Sequence, residues 1–178
     1  MNNYWAEGLH ALSLNELCRR AGLSKPALYR EFGNEDGLMD AALELYRELL
    51  VVPLLDALAA GPPFAQLLER VTMGMTSPQG VPAGCLFTKI RLDHRRVGPN
   101  TLSRVRAIEA ERISAFEDAY RRALASDQAN PRFSPSFAAG YLDTQLSTIL
   151  IQMGAGAPAA EVREQARVAL RVLLRVDD

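Results

Sequence analysis

Lys25, Pro26, Ala27, Tyr29 and Arg30 bring two cations, a phenol and two small apolar groups into one short stretch. Such side chains suit the edge of a nucleic-acid duplex. A guanidinium such as that of Arg30 matches the paired acceptors of a guanine edge, and Ala27 or Pro26 packs on a thymine methyl. Lys25, Tyr29 and the hydroxyls of Ser13 and Ser24 suit phosphate oxygens, contacts that set register without reading sequence. This chemistry requires that the stretch form the exposed start of one helix, held clear of its neighbours. Other chemistries lack their residues. His10 and His94 accompany no nucleophile motif, there is no glycine-rich phosphate loop, and Cys18 and Cys85 have neither metal-ligand spacing nor a disulfide framework. No catalytic set, cofactor or metal is expected.

The surrounding residues supply the positioning elements. Ser13 and Glu16 form the S-x-x-E pattern that opens a helix. Gly22 sits where a tight inter-helix turn needs a residue without a Cβ. Ser24 caps a second short helix, with Pro26 tolerated in its first turn. Leu14, Leu17, Leu23 and Leu28 supply apolar contacts, and Cys18 lies where only a small side chain fits between crossing helices. The pattern predicts a helix-turn-helix whose second helix enters a major groove.

These residues carry a family resemblance. Ser13-Leu14-x-x-Leu17, Ala21-Gly22-Leu23-Ser24-Lys25, Leu28-Tyr29 and Phe32, followed by Leu38 beyond Asn34, resemble the DNA-binding domain of tetracycline-repressor-type (TetR) regulators. The motif-level likeness covers about residues 5 to 50. Two features depart from the family pattern. The family begins with a full basic first helix, whereas only three residues precede Tyr4, so a start missing from this chain is expected. Glu35 replaces the usual lysine near the start of the fourth helix. In residues 1 to 34, Arg19, Arg20, Lys25 and Arg30 stand against Glu7, Glu16 and Glu31, a net of +1. That is a faint electrostatic footprint for a phosphate-dominated contact. Arg19 and Arg20 suit a solvated face as well as a phosphate.

Composition bounds the rest. The chain has 178 residues, 48% apolar and 23% charged, with a net charge of −1. That is enough for a packed core, with no global field toward nucleic acid. Lys25 and Lys89 are the only lysines among 20 basic residues, a bias we attribute to a GC-rich genome. The opening MNNYWAEGLH lacks the blocks of a signal peptide. The uncharged stretch from Thr144 to Ala160 is broken by Gln152, two glycines and Pro158, a poor membrane span. A reduced bacterial cytosolic protein working at the nucleoid is expected.

The periodicity predicts an all-α chain. A stub over 2–7 precedes the helix-turn-helix, and Asn34 caps a helix to about Val52 with Leu38, Ala42, Leu45, Leu49 and Val52 inward. Pro53 weakens it and Gly61-Pro62-Pro63 ends it. Helices follow over about 64–75, 85–93, 100–126, 136–153 and 158–176. At about 1.5 Å per residue, the helix over 100–126 spans about 40 Å. The last two are apolar over wide faces, including Leu146 and Leu170, so a second subunit is expected to cover one side; the resembled family pairs such helices into a four-helix bundle. Arg163, Arg167, Arg171 and Arg175 form a solvated face.

Residues 1–50 therefore read as a DNA-binding head and residues 51–178 as a ligand-binding and dimerisation body. A small apolar effector is expected against Met73, Leu86, Phe87, Phe116 and Tyr120, oriented by the Tyr120 hydroxyl or Gln145, while His94, beside Arg91, Arg95 and Arg96, suits an anionic ligand or a solvated helix end. The whole reads as a homodimeric repressor, joined through residues 136–176, that binds a double-stranded palindromic operator and is released by its effector. Two other readings stay open: a ligand-binding helical dimer with impaired or lost DNA binding, and a small helical enzyme.

Overall fold

The computed structural model describes residues 1–8, 13–77, 82–93, 95 and 97–175. Helix α1 (Asn2–Glu7) is the stub, and α2 (Leu14–Ala21) and α3 (Lys25–Phe32) form the helix-turn-helix. Helix α4 (Glu35–Tyr46) runs through a π turn (Arg47–Val51) into α5 (Val52–Ala59). The body adds α6 (Phe64–Thr76), α7 (Leu86–Leu92), α8 (Pro99–Ala125), α9 (Pro135–Gly154) and α10 (Ala159–Arg171). Among the described residues the sole β feature is an isolated bridge between Ala129 and Leu174.

Asn34 caps α4 as expected, its Oδ1 accepting the Gly37 N–H at 2.9 Å. Gly37 is required for a second reason: a Cβ there would stand 2.0 Å from the Phe32 carbonyl oxygen, so α3 comes down on α4 only over a bare backbone. The inward face of α4 differs from the expected one. Met39, Ala42, Leu43 and Tyr46 are buried, whereas Leu45 and Leu49 are exposed. The helix also continues past Val52. In an α-helix the Pro53 ring would strike the carbonyl four residues back, and Pro53 has no N–H to give it. The chain widens instead, and the Val52 N–H reaches the Arg47 carbonyl in a π register.

Two apolar clusters hold the molecule. One joins Phe64, Leu67, Phe116, Tyr120, Leu142 and Leu170 of the body. The other gathers Trp5, Leu43 and Tyr46 with Leu86, Phe87, Ile90 and Ile108, so the head and body helices share one core. Along the shared boundary runs a polar seam. Asp36 accepts from Thr101 and Asn100 at the start of α8, Arg104 pairs with Asp40 (2.9 Å) and Glu44 (2.6 Å), and Arg47 pairs with Glu111 (2.8 Å).

Helix α10 ends at Arg171, short of the expected Val176, which lies outside the described residues. The turn before α9 draws its last carbonyls away: the Asn130 side-chain amide donates to the Val172 oxygen (3.0 Å) and its N–H to that of Leu173 (2.9 Å). The arginine row on this helix is also not simply solvated. Arg163 donates to Thr76 at 2.8 Å and Arg167 pairs with Glu69 at 2.6 Å, tying α10 to α6.

Candidate nucleic-acid interface and ligand cavity

The turn between α2 and α3 is closed by backbone chemistry. Gly22 takes a left-handed φ of 64°, its N–H reaches the Arg19 carbonyl (3.3 Å), and the Leu23 N–H reaches that of Cys18 (3.0 Å). This is the doubly bonded glycine stop that only a residue without a Cβ forms readily. Cys18 and Leu28 are buried where the helices cross. Leu23, expected in that contact, is 47% exposed because it follows the left-handed residue and turns outward.

At the start of α3, Ser24 Oγ accepts the Ala27 N–H at 3.3 Å, and Ser13 Oγ does the same for Glu16 at 3.2 Å on α2. Each hydroxyl keeps its own proton to donate outward. Lys25, Pro26, Tyr29 and Arg30 are exposed and Ala27 is half-buried. The structure thus brings the seven sequence-predicted residues to the α2 and α3 starts and the outer face of α3. Among the described residues neither Lys25 nor Arg30 is held in an ion pair. Arg19 and Arg20 differ: both donate to Glu16 (2.8 and 2.9 Å), and Arg20 also pairs with Glu7. Hydrogen bonds from Arg19 and then Arg20 lower the Glu16 carboxyl to about 2. Lys25 and Arg30 are therefore the head cations open to phosphate or base.

A cavity of about 450 Å³ opens among α1, α4, the π turn and the body helices, within the size range of small-molecule sites. Its apolar wall comes from the π turn and α5 (Leu50, Leu54), α6 (Val71, Met75), α8 (Phe116) and α9 (Leu146). A polar end is bounded by Trp5, Tyr46, Cys85, Thr88, Arg112 and Asp143, and Arg70 of α6 adds an exposed cation to the lining. Tyr46 Oη and Cys85 Sγ share a hydrogen bond of 3.1 Å, and Sγ also accepts the Thr88 N–H at 3.4 Å, capping α7. Arg112 pairs with buried Asp143 and lies 4.5 Å over the Phe87 ring, while Arg91 reaches Asp143 at 3.2 Å. Burial disfavours the charge on Arg112 and pulls the guanidinium below its ordinary value, against the smaller opposing effects of Cys85 and Tyr46. Burial, and next the neighbouring Cys85, push the Tyr46 phenol up, so it stays protonated. Among the described residues no group of three or more His, Cys, Asp or Glu is placed to hold a metal ion.

Of the residues expected from sequence to hold an effector, Phe116 lies on this wall. Met73 is 38% exposed on the outer side of α6. Leu86 and Phe87 are fully buried, Phe87 beneath Arg112, and Tyr120 is fully buried with its hydroxyl donating to the Asn130 carbonyl at 2.7 Å. Gln145 is half-buried away from the wall, and His94 lies outside the described residues. Sequence reasoning missed Trp5, Tyr46, Arg112 and Asp143. One signal pointed to the last: Asp143 is the only charged residue of α9.

On the outer faces of α9 and α10, Phe137, Ile151 and Val168 are exposed, as is Val172 just past α10, whereas Leu146 and Leu170 face the chain's own core. The Thr144 and Thr148 hydroxyls bond back to carbonyls of their own helix (2.9 and 3.0 Å), which leaves a smooth stripe.

Residues 4–42 match the model for bacterial regulatory proteins of the tetR family. The whole chain resembles solved regulators. A cysteine mutant of the TetR family transcriptional regulator CifR, complexed with 26-base-pair double-strand operator DNA, is 25% identical, with 96% of this chain and 91% of that chain covered and a TM-score of 0.78. The reduced form of NemR from E. coli is 17% identical over 98% and 92% of the two chains, with a TM-score of 0.82. A regulatory protein TetR from Rhodobacter sphaeroides is 15% identical over 97% and 94%, with a TM-score of 0.79. No curated protein compared with the chain matches it.

Proposed function

We propose that this chain, a TetR-family transcriptional regulator, is a homodimeric repressor that grips a near-palindromic operator and lets go when a small molecule fills its body. Residues 1–50 serve as the reading head and 51–178 as the ligand-binding and dimerisation body. The observation that carries the DNA half is the face of α3: Lys25, Tyr29 and Arg30 stand exposed, and neither cation is held by a carboxylate among the described residues. Arg30 reads a base edge, Lys25 and the two serine hydroxyls hold phosphates, and Pro26 and Ala27 offer apolar contact.

The stripe of Phe137, Ile151 and Val168 is the surface a second copy covers, giving two heads that address half-sites about one helical turn apart. The cavity supports the effector half. Its wall includes the π turn that carries α4, and the seam from Asp36 to Arg47 fastens α4 to α8. An occupant that displaces either helix shifts the head spacing, a change of population between two dimer states.

One observation favours the reading without DNA binding: Glu7 and Glu16 engage Arg19 and Arg20, which thins the head's free charge. Selection of binding fragments from genomic DNA, followed by titration over a salt series, separates the two readings. A repressor yields an enriched palindrome bound far more tightly than random DNA. Equal affinity for both sinks the operator assignment.

A further inference from the structure

The polar end of the cavity carries its charge already paired. The Arg112 and Asp143 side chains are 11% and 9% exposed and bonded to each other. Asp143 also takes Arg91, and Arg91 takes Glu109 at 3.4 Å. Two cations thus face two carboxylates, and none of these four is free to meet an incoming ion. A carboxylate entering this end would be desolvated with Arg112 already committed to Asp143, or would have to displace Asp143; Arg70, the one other charged residue of the lining, is exposed on α6 beside Val71. An ammonium would face Arg112. Either costs far more than burying a neutral group that hydrogen-bonds. The neutral groups for such a bond are at hand. Tyr46 and Cys85 hold two hydrogens between them and spend one on their mutual contact. Thr88 lines the same end. Trp5 closes it, fixed by its Nε1–H to the Gly84 carbonyl (3.3 Å) and edge-on to Tyr46 with centroids 5.1 Å apart.

We propose that this end of the cavity is a subsite for an uncharged molecule, an alcohol, phenol or ketone, whose compact apolar body lies against Trp5 and whose oxygen meets the Tyr46, Cys85 and Thr88 groups. The proposal rests on the reading of the cavity as the effector site and adds the charge class. It also makes α1 of the DNA-reading head part of the ligand wall.

Three optically silent probes that share one cage test it: adamantan-1-ol, adamantane-1-carboxylate and adamantan-1-ammonium, titrated into the full chain. Trp5 is the chain's single tryptophan, so its emission reports the subsite directly. The alcohol should bind and shift that emission, and both ions should bind at least about tenfold more weakly. In Asp143→Asn the freed Arg112 charge should turn the order round in favour of the carboxylate. If that variant loses its helical circular dichroism, the ranking in the unmodified chain decides. Equal or tighter binding of either ion, no binding of the alcohol, or calorimetric binding with unchanged Trp5 emission each overturns the subsite. The regulator reading fails separately: an alcohol that shifts Trp5 in the expected order but leaves affinity for the selected operator unchanged keeps the subsite and removes the release mechanism.

Discussion

Asp36, in the first turn of α4, caps Thr101, in the first turn of α8: its Oδ1 accepts the Thr101 hydroxyl at 2.6 Å and the Thr101 N–H at 3.0 Å. Oδ2 takes the Asn100 N–H at 2.9 Å. The unsatisfied N–H groups that open the longest helix are thus met by a residue 65 positions earlier in the chain. Desolvation works against the Asp36 charge, but the bonds from Thr101 and Asn100 outweigh it and hold the carboxyl below its ordinary 3.8. A depressed folded pKa means stability that is present above the unfolded value and lost as pH falls through the folded one. Asp36→Ala should therefore cost about 1–2 kcal/mol at neutral pH, and the gap to the unmodified chain should narrow toward pH 3. Calorimetric melting across that range checks it; a gap that stays constant would refute the cap.

Gly98→Ala attacks the same contact from the other side. A Cβ on Gly98 would lie 2.4 Å from the Asp36 carboxyl carbon. The substitution should push Asp36 off the α8 start, so combining it with Asp36→Ala should cost clearly less than the two separate losses together. A double-mutant cycle reads the difference. Simple additivity would mean that Gly98 is required for some other reason.

For the proposed dimer, the relevant residues point outward. Val168→Glu with Ile151→Glu should yield a folded monomer, whereas Leu170→Glu, placed in the core, should unfold the protomer. Light scattering with circular dichroism separates these results. A folded monomer from the unmodified chain would remove the premise.

Arg30→Ala should reduce discrimination between operator and random DNA by about 1–3 kcal/mol, while Lys25→Ala should weaken all sequences alike and lower the salt slope by about one per half-site. Arg30 and Lys25 are both exposed on α3, so neither change should alter the melting temperature much. Equal losses on both DNAs for Arg30→Ala would assign it to phosphate instead.

Phe116→Trp enlarges a wall residue that is 2% exposed. It should weaken adamantan-1-ol binding severalfold and leave operator affinity nearly unchanged. Undiminished binding of the alcohol would place the occupant elsewhere.

The head was legible because its elements depend on local chemistry. Ser13, Gly22, Ser24 and Asn34 each satisfy a helix end within a few residues, so their types and spacing suffice. The register of α4 was not, since which of Met39, Leu43, Leu45 and Leu49 faces inward depends on where α8 lies. The cavity was least legible. An apolar helical position announces burial but not whether it meets a neighbour or a void, and Met73, Phe87 and Tyr120 could not be told from Met75, Leu50 and Phe116. Trp5 reaches the wall only through the fold, and Arg112 finds Asp143 from another helix.

The π turn also sets what lengths this chain tolerates. A wide turn absorbs one surplus residue without rotating the helical faces on either side of it. Deleting one residue between Arg47 and Val51 would therefore keep the Asp36–Glu44 row on α8 and α5 on its neighbours. It would also return Pro53 to an α register, where its ring meets a carbonyl. The shortened chain should fold only when Pro53 is replaced as well, so insertion and proline form a linked pair: gaining or losing either alone strands the other.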